Sequence, residues 1–296
     1  MKLGTVEWRG HARPVVMLDD ARAVDLSDHF ADMVELVRGG DAALALVRDL
    51  LARAETVIAL EEAAMRCPIQ PVQYRDCLVF EEHLVNSFAA AERMTGRSFA
   101  IPQVWYDQPI YYKGNRMSFI GDGQEIHWPR YAEFLDIELE LAIVVGREGK
   151  DIPADAAEPW IWGYTILNDV SARDAQMLEM AGQLGPAKGK DFDTGNILGP
   201  WIVTADEIAH PAALEMEARV NGTRWGGGNS RAMHHDFGAI LAHVSASETV
   251  YPGEVIGSGT VGTGCGLEVG RKLAPGDEIE LEVERIGVLR NRVVRP

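Results

Sequence analysis

The stretch Leu135-Asp136-Ile137-Glu138-Leu139-Glu140-Leu141 alternates apolar and acidic residues without a break. A period of two is that of a β-strand with one dry face and one wet face. Asp136, Glu138 and Glu140 then share a side, with roughly 6–7 Å of rise between successive carboxylates. Like charges at that spacing repel unless something positive sits among them, and a hard divalent cation bound through oxygen meets that need. The same seven residues also describe the solvated face of an ordinary amphipathic strand. Ala142-Ile143-Val144-Val145-Gly146 continues the strand as a buried segment.

Outward from this strand, the composition sets bounds. The chain has 296 residues, 47% of them hydrophobic, enough for a sizeable core. Its net charge is −17 and it has no Lys/Arg run, which argues against a nucleic-acid partner. An acidic protein that takes an anionic substrate must concentrate positive charge locally, through a metal or a few placed cations. Cys67, Cys77 and Cys265 show no paired spacing, so neither a disulfide framework nor a zinc site is expected, and a reducing compartment is. Met1–Glu7 lacks the apolar segment of a signal peptide, and no run of about 18 apolar residues occurs. A cytoplasmic protein without a membrane partner is the expectation.

Lys2–Trp8, Pro14–Leu18 and Arg22–Leu26 read as short strands, and Asp41 can cap a helix running to about Arg53. Cys67-Pro68-Ile69-Gln70-Pro71 breaks the pattern like a linker, which divides the chain into a small N-terminal α/β domain, 1–70, and a larger domain, 71–296. A helix is expected from Asp76 past Ala91, with His83 beside its apolar stripe; a lone helical histidine is more often structural than a base. Phe99–Gly121 is rich in aromatic and turn residues, suited equally to lining a pocket and to core packing. Trp160–Leu167 reads as a strand that runs into Asn168-Asp169-Val170-Ser171. Asp169 sits where strand meets loop, a common place for a ligand, although Asp169 or Ser171 can equally cap the next helix. Gly185–Gly199 has neither period nor the glycine spacing of a phosphate loop, and solvent is the default surrounding for its lysines. The remainder is mainly β: strands at Trp201–Thr204, Leu214–Val220, Val255–Gly257, Glu278–Glu284 and Gly287–Val294, a hairpin turn at Asn221-Gly222, and one helix over His234–Ser245. The glycines of Ser258–Gly266 let backbone approach something closely, or make an irregular turn.

Taken in order, Arg75-Asp76, Phe80-Glu81, His83, Asp136–Ala142, Asn168–Asp174, Gln176, Gly189–Asp193, Pro252-Gly253 and Gly257–Thr260 resemble the motifs of the fumarylacetoacetate hydrolase family. Each is weak alone; the ordered set over about residues 70–296 is specific. The resemblance implies an α+β, mainly β fold built on a mixed β-sandwich roll, usually as a homodimer. It implies a Mg²⁺ or Mn²⁺ site, with Ca²⁺ able to replace them in crystals, held by Glu138, Glu140 and Asp169, and by Asp76 in some members. Lys190, Arg173 and Gln176 match groups that hold the substrate or surround the metal. Tyr112 and Thr260 match substrate contacts. His83 matches the residue that activates water, and Glu268 its orienting carboxylate, across a segment shorter than in the eponymous enzyme.

The chemistry implied is hydrolysis of a C–C bond in a 1,3-diketo acid of the acylpyruvate or fumarylpyruvate type. Water activated by His83 attacks the distal carbonyl, and the leaving carbon departs as an enolate whose charge falls on a metal-bound oxygen, with Lys190 adding a fixed positive charge. Decarboxylation of oxaloacetate, isomerisation of unsaturated 2-oxo diacids and dehydration of a 2-keto-3-deoxy sugar acid use the same platform. A binding protein without turnover is a reading of another class, opposed by the presence of all three carboxylates and the candidate base.

Overall fold

The computed structural model describes residues 1–295, so Pro296, the expected limit of the second domain, lies outside the described residues. Two open sheets form the frame. The longer runs, neighbour to neighbour, through Val57–Ala59, Arg22–Asp25, His11–Met17, Lys2–Trp8, Asn196–Thr204, Ile161–Asp169, Leu139–Val145, Val255–Gly257, Tyr74–Cys77 and Tyr111–Lys113. Ala64–Met65 and Phe119–Ile120 attach to its side. The shorter runs through Thr223–Asn229, Glu215–Val220, Glu278–Val283, Gly287–Val294 and Glu125–His127. The strands of the first 70 residues therefore belong to the same sheet as the centre of the chain, joined where Lys2 and Leu3 pair with Val203 and Ile202. More strand than helix is present, in agreement with the mainly β α+β class.

Leu139, Leu141, Ile143 and Val145 pack against Met216, Ala218, Leu281 and Leu289 of the shorter sheet. Ala142 and Val144 face the other way, into a layer with Leu36, Val37, Val47 and Leu50 from the helices Met33–Arg38 and Gly40–Arg53. Both faces of the strand are thus dry. Each buried Leu, Ile or Val contributes about 1.5–3 kcal/mol, which offsets the cost of carrying Glu140 in the same strand.

This corrects the first expectation. The acidic side is not solvated: Asp136 and Glu140 are 0% exposed and Glu138 is 5% exposed, because Arg173, Lys190 and the backbone of Gly259, Gly266 and Leu267 close over them. Nor is the strand unbroken. Leu135–Asp136 pairs with Ser171–Ala172, Glu138 makes an isolated bridge to Cys265, and the long strand begins at Leu139. The break turns Asp136 away from Glu138 and Glu140.

Two further expectations change. The helix expected from Asp76 begins at Glu81, and Tyr74–Cys77 is instead a buried strand between Val255–Gly257 and Tyr111–Lys113. Gly185–Gly199 is not featureless: it holds the short helix Ala187–Lys190 and the start of the strand Asn196–Thr204, which is buried on both faces and so shows no alternation. The Asn221-Gly222 turn does join Glu215–Val220 to Thr223–Asn229, with φ of 51° and 72° as a two-residue hairpin requires. The helix expected over His234–Ser245 begins at Phe237, capped by the Asp236 side chain. Among the described residues no helix is long and apolar enough to cross a membrane, and the three cysteines are unpaired.

Candidate active site

Three adjacent parts of the long sheet bring carboxylates together. Asp169 ends the strand Ile161–Asp169, Glu140 lies on its neighbour Leu139–Val145, and Asp76 lies on Tyr74–Cys77, two strands further on. Between the last two runs Val255–Gly257, in which Gly257 is paired with Ala142 on one side and Asp76 on the other. Neighbouring strands sit about 4.8 Å apart, so the carboxylates flanking Gly257 converge only if nothing projects from it. A Cβ there would lie 2.3 Å from Asp76 Oδ1 and 2.9 Å from Glu140 Oε2. One oxygen from each of Asp76, Glu140 and Asp169 falls within 4.8 Å of the others, and all three residues are buried.

Burial, then repulsion from Asp169, pushes the Asp76 carboxyl well above the ordinary carboxylate range. Burial, then Asp76, does the same to Glu140. Burial also raises Asp169 against the pull of Lys190. Asp76 Oδ1 and Asp169 Oδ1 are buried without a hydrogen-bond partner. Buried polar atoms are nearly always partnered; an all-oxygen set with two orphaned oxygens is what a hard divalent cation would complete.

Glu138 sits beside this trio and is held by cations. Arg173 Nη1 lies 2.8 Å from its Oε1, and Lys190 Nζ contacts its Oε2. Burial would raise the Glu138 carboxyl, but Arg173, Lys190 and His83 outweigh it and hold it below the ordinary range. Lys190 also donates to Asp169 Oδ2 at 2.6 Å. This lysine is buried rather than solvated, and although burial works against its ammonium, Asp169 and Glu138 keep it charged. Tyr112 donates to Asp169 Oδ2 at 2.7 Å. Glu140 accepts from the Gly259 N–H at 3.1 Å and the Thr260 hydroxyl at 3.4 Å. Gln176 accepts from Arg173 at 3.0 Å.

His83, on the helix Glu81–Thr95, is buried with Nδ1 2.8 Å from Glu268 Oε1 and Nε2 4.0 Å from Glu138 Oε1. Glu268 also accepts from Asn86 at 3.0 Å, the Thr263 N–H at 2.7 Å and the Cys265 thiol at 3.3 Å. With Glu268 as the acceptor, Nδ1 carries a proton toward it, and Nε2 faces Glu138. The fold thus gathers every residue expected at the site. Sequence reasoning quoted Gly257 only as part of a motif and gave no role to it, to Asn86 or to Cys265. Asn86 had a usable signal, since it stands one turn after His83 on the same helical face; Gly257 and Cys265 gain their places only from strand pairing.

Comparison with known proteins follows the same lines. The family described as fumarylacetoacetate (FAA) hydrolase, C-terminal, matches residues 81–294. The chain belongs to this family of enzymes. It is 33% identical over 266 residues to the human mitochondrial oxaloacetate tautomerase FAHD2A, covering 88% of this chain and 79% of that one. The crystal structure of 5-carboxymethyl-2-hydroxymuconate delta-isomerase from Mycobacterium smegmatis matches with a TM-score of 0.76 and 28% identity over 100% of both chains. Maleylpyruvate hydrolase from Sphingobium sp. SYK-6, solved with manganese(II) and pyruvate, matches with a TM-score of 0.78 over 100% of this chain and 99% of that one. At 21% identity the last speaks for the fold alone.

Proposed function

We propose that the chain is a divalent-metal-dependent hydrolase of 1,3-diketo acids of the acylpyruvate or fumarylpyruvate type. The observation that carries this reading is the His83–Glu268 pair: a buried imidazole with its Nδ1 proton fixed and its Nε2 directed at the carboxylate cluster is built to take a proton from water. Asp76, Glu140 and Asp169 would hold Mg²⁺ or Mn²⁺, with Glu138 beside them. The ion when bound supplies Lewis acidity toward the oxygens of a 2-oxo acid.

The chain's own groups do the rest. His83 Nε2 removes a proton from water, and the hydroxide adds to the distal carbonyl carbon. The bond from that carbon to the methylene breaks, and its electron pair passes to the 2-oxo acid fragment as an enolate. Lys190 offsets that charge, and Arg173 keeps Glu138 in place. The proton on His83 then returns to the methylene carbon. The products are a carboxylic acid carrying the water oxygen and a methyl 2-oxo acid. A homodimer in the cytoplasm is part of the same proposal.

A panel of acylpyruvates incubated with Mg²⁺ or Mn²⁺ in ¹⁸O-water tests it. Two products, with label in the released carboxylic acid, are expected. The 33% identity to an oxaloacetate tautomerase favours a second reading, keto–enol or double-bond isomerisation of a 2-oxo diacid. A change in ultraviolet absorbance without cleavage or label would select that reading over hydrolysis.

A further inference from the structure

Asp136 is fully buried beside the cluster but is not one of the trio. Its Oδ1 accepts from the backbone N–H of Ile137 at 2.9 Å and of Gly266 at 2.7 Å. Its Oδ2 accepts from the N–H of Leu267 at 2.9 Å and from Arg173 Nε at 2.9 Å. Gly266 and Leu267 open the four-residue helix Gly266–Val269, and the next residue is Glu268. The fit is close: a Cβ on Gly266 would lie 2.5 Å from Asp136 Oδ1. One carboxylate therefore grips both the turn that aims Glu268 and the guanidinium that reaches Glu138.

We propose that Asp136 is a positioning residue. By fixing the Gly266-Leu267 turn it sets the direction of the Glu268 carboxylate, and through it the Nδ1-protonated tautomer of His83. By holding Arg173 it keeps that imidazole in register with Glu138. The inference rests on the reading of His83 as the base. It explains why an acidic residue that could solvate itself by turning outward is instead kept at 0% exposure with every approach occupied by a donor.

Asp136→Asn disturbs the carboxylate's own bonds. An amide accepts on one atom and donates on the other, so in either orientation an NH₂ group faces donors, on one side the N–H groups of Ile137 and Gly266, on the other Leu267 and Arg173. Gly266→Ala pushes the turn away from Asp136 Oδ1 while keeping the carboxylate and the Arg173 guanidinium chemically intact. The primary readout is the imidazole ¹⁵N spectrum of the metal-free protein, followed by kcat, KM and Mn²⁺ affinity. In the wild type the spectrum should show His83 protonated at Nδ1; both variants should shift it toward a mixture of tautomers. Loss of an outer partner of this kind typically costs about 10–100-fold in activity, expected here in kcat with KM and Mn²⁺ affinity little changed. A folded variant that retains both the wild-type His83 spectrum and the wild-type kcat would overturn the assignment. Should Asp136→Asn fail to fold, Gly266→Ala carries the same decision. If the wild type hydrolyses no 1,3-diketo acid, the functional reading fails, and the ¹⁵N spectra still decide the role of Asp136.

Discussion

Replacing Gly257 by alanine should force apart the carboxylates of Asp76 and Glu140. The added Cβ would stand 2.3 Å from Asp76 Oδ1, and real Cβ contacts are essentially absent below 3.0 Å, so that oxygen must retreat by about 0.7 Å. Glu140 Oε2, at 2.9 Å, and the Leu167 Cδ2 methyl, at 2.6 Å, leave no easy direction for the backbone to yield. Metal–ligand distances tolerate only about ±0.2 Å, so the displaced oxygen leaves the coordination range. By analogy with partners that orient ligands, a loss of about 10–100-fold in Mn²⁺ affinity is expected, which corresponds to about 1.4–2.7 kcal/mol. Overpacking should also lower fold stability by about 1–3 kcal/mol. Isothermal titration with Mn²⁺ measures the first effect, and denaturant unfolding of the metal-free protein the second. Wild-type Mn²⁺ affinity in the folded variant would refute the claim that Gly257 makes room for the metal's ligands.

Other expectations concern the base, the cation and the carboxylates. His83→Ala should lose about 10²–10⁴-fold in hydrolysis while binding Mn²⁺ as before, since His83 lies outside the Asp76–Glu140–Asp169 trio; steady-state kinetics and metal titration check both halves. Lys190→Ala should reduce kcat by about 10²–10³-fold and destabilise the metal-free protein, whose Glu138 and Asp169 lose a shared partner; added Mn²⁺ should restore the melting temperature but not kcat. The raised carboxyls of Asp76, Glu140 and Asp169 must shed protons to bind an ion, so Mn²⁺ affinity should climb as pH rises, through and beyond the ordinary carboxylate range of about 4. Calorimetry in buffers of different ionisation enthalpy should detect the released protons; no release at pH 6 would contradict the raised values.

The local signals that were legible in the sequence are those that act through the backbone alone. The alternation ending at Leu141 and the apolar run after it marked the strand at Leu139–Val145, and Asn221-Gly222 marked the hairpin between Glu215–Val220 and Thr223–Asn229. The motif order led to the candidate site residues, but not to how they are supported. Nothing near Asp76 announces a strand, because its partners Tyr111–Lys113 and Val255–Gly257 both lie far downstream in the chain. The acidic side of the opening stretch read as wet because the groups that cover it, Arg173, Lys190 and the backbone of Gly259, Gly266 and Leu267, lie far downstream. Asp136 looked like a third member of a row, and only the break after it, together with the turn at Gly266, gives it a different task. His83 and Glu268 are 185 residues apart, so their pairing was available by resemblance and not by spacing.

The seam between Lys2–Trp8 and Asn196–Thr204 has a consequence for biosynthesis. The first strand can form its hairpin with His11–Met17 as soon as both leave the ribosome, and Val6 and Glu7 on its other edge can pair with Ala64–Met65 soon after, but Lys2 and Leu3 on that edge must wait for a partner nearly two hundred residues away. At 5–20 residues per second that delay is roughly 10–40 s, during which a nascent chain shows an unpaired β-edge and the apolar side of its first two helices. Chaperone occupancy should therefore peak before the strand Asn196–Thr204 emerges and fall once it has docked.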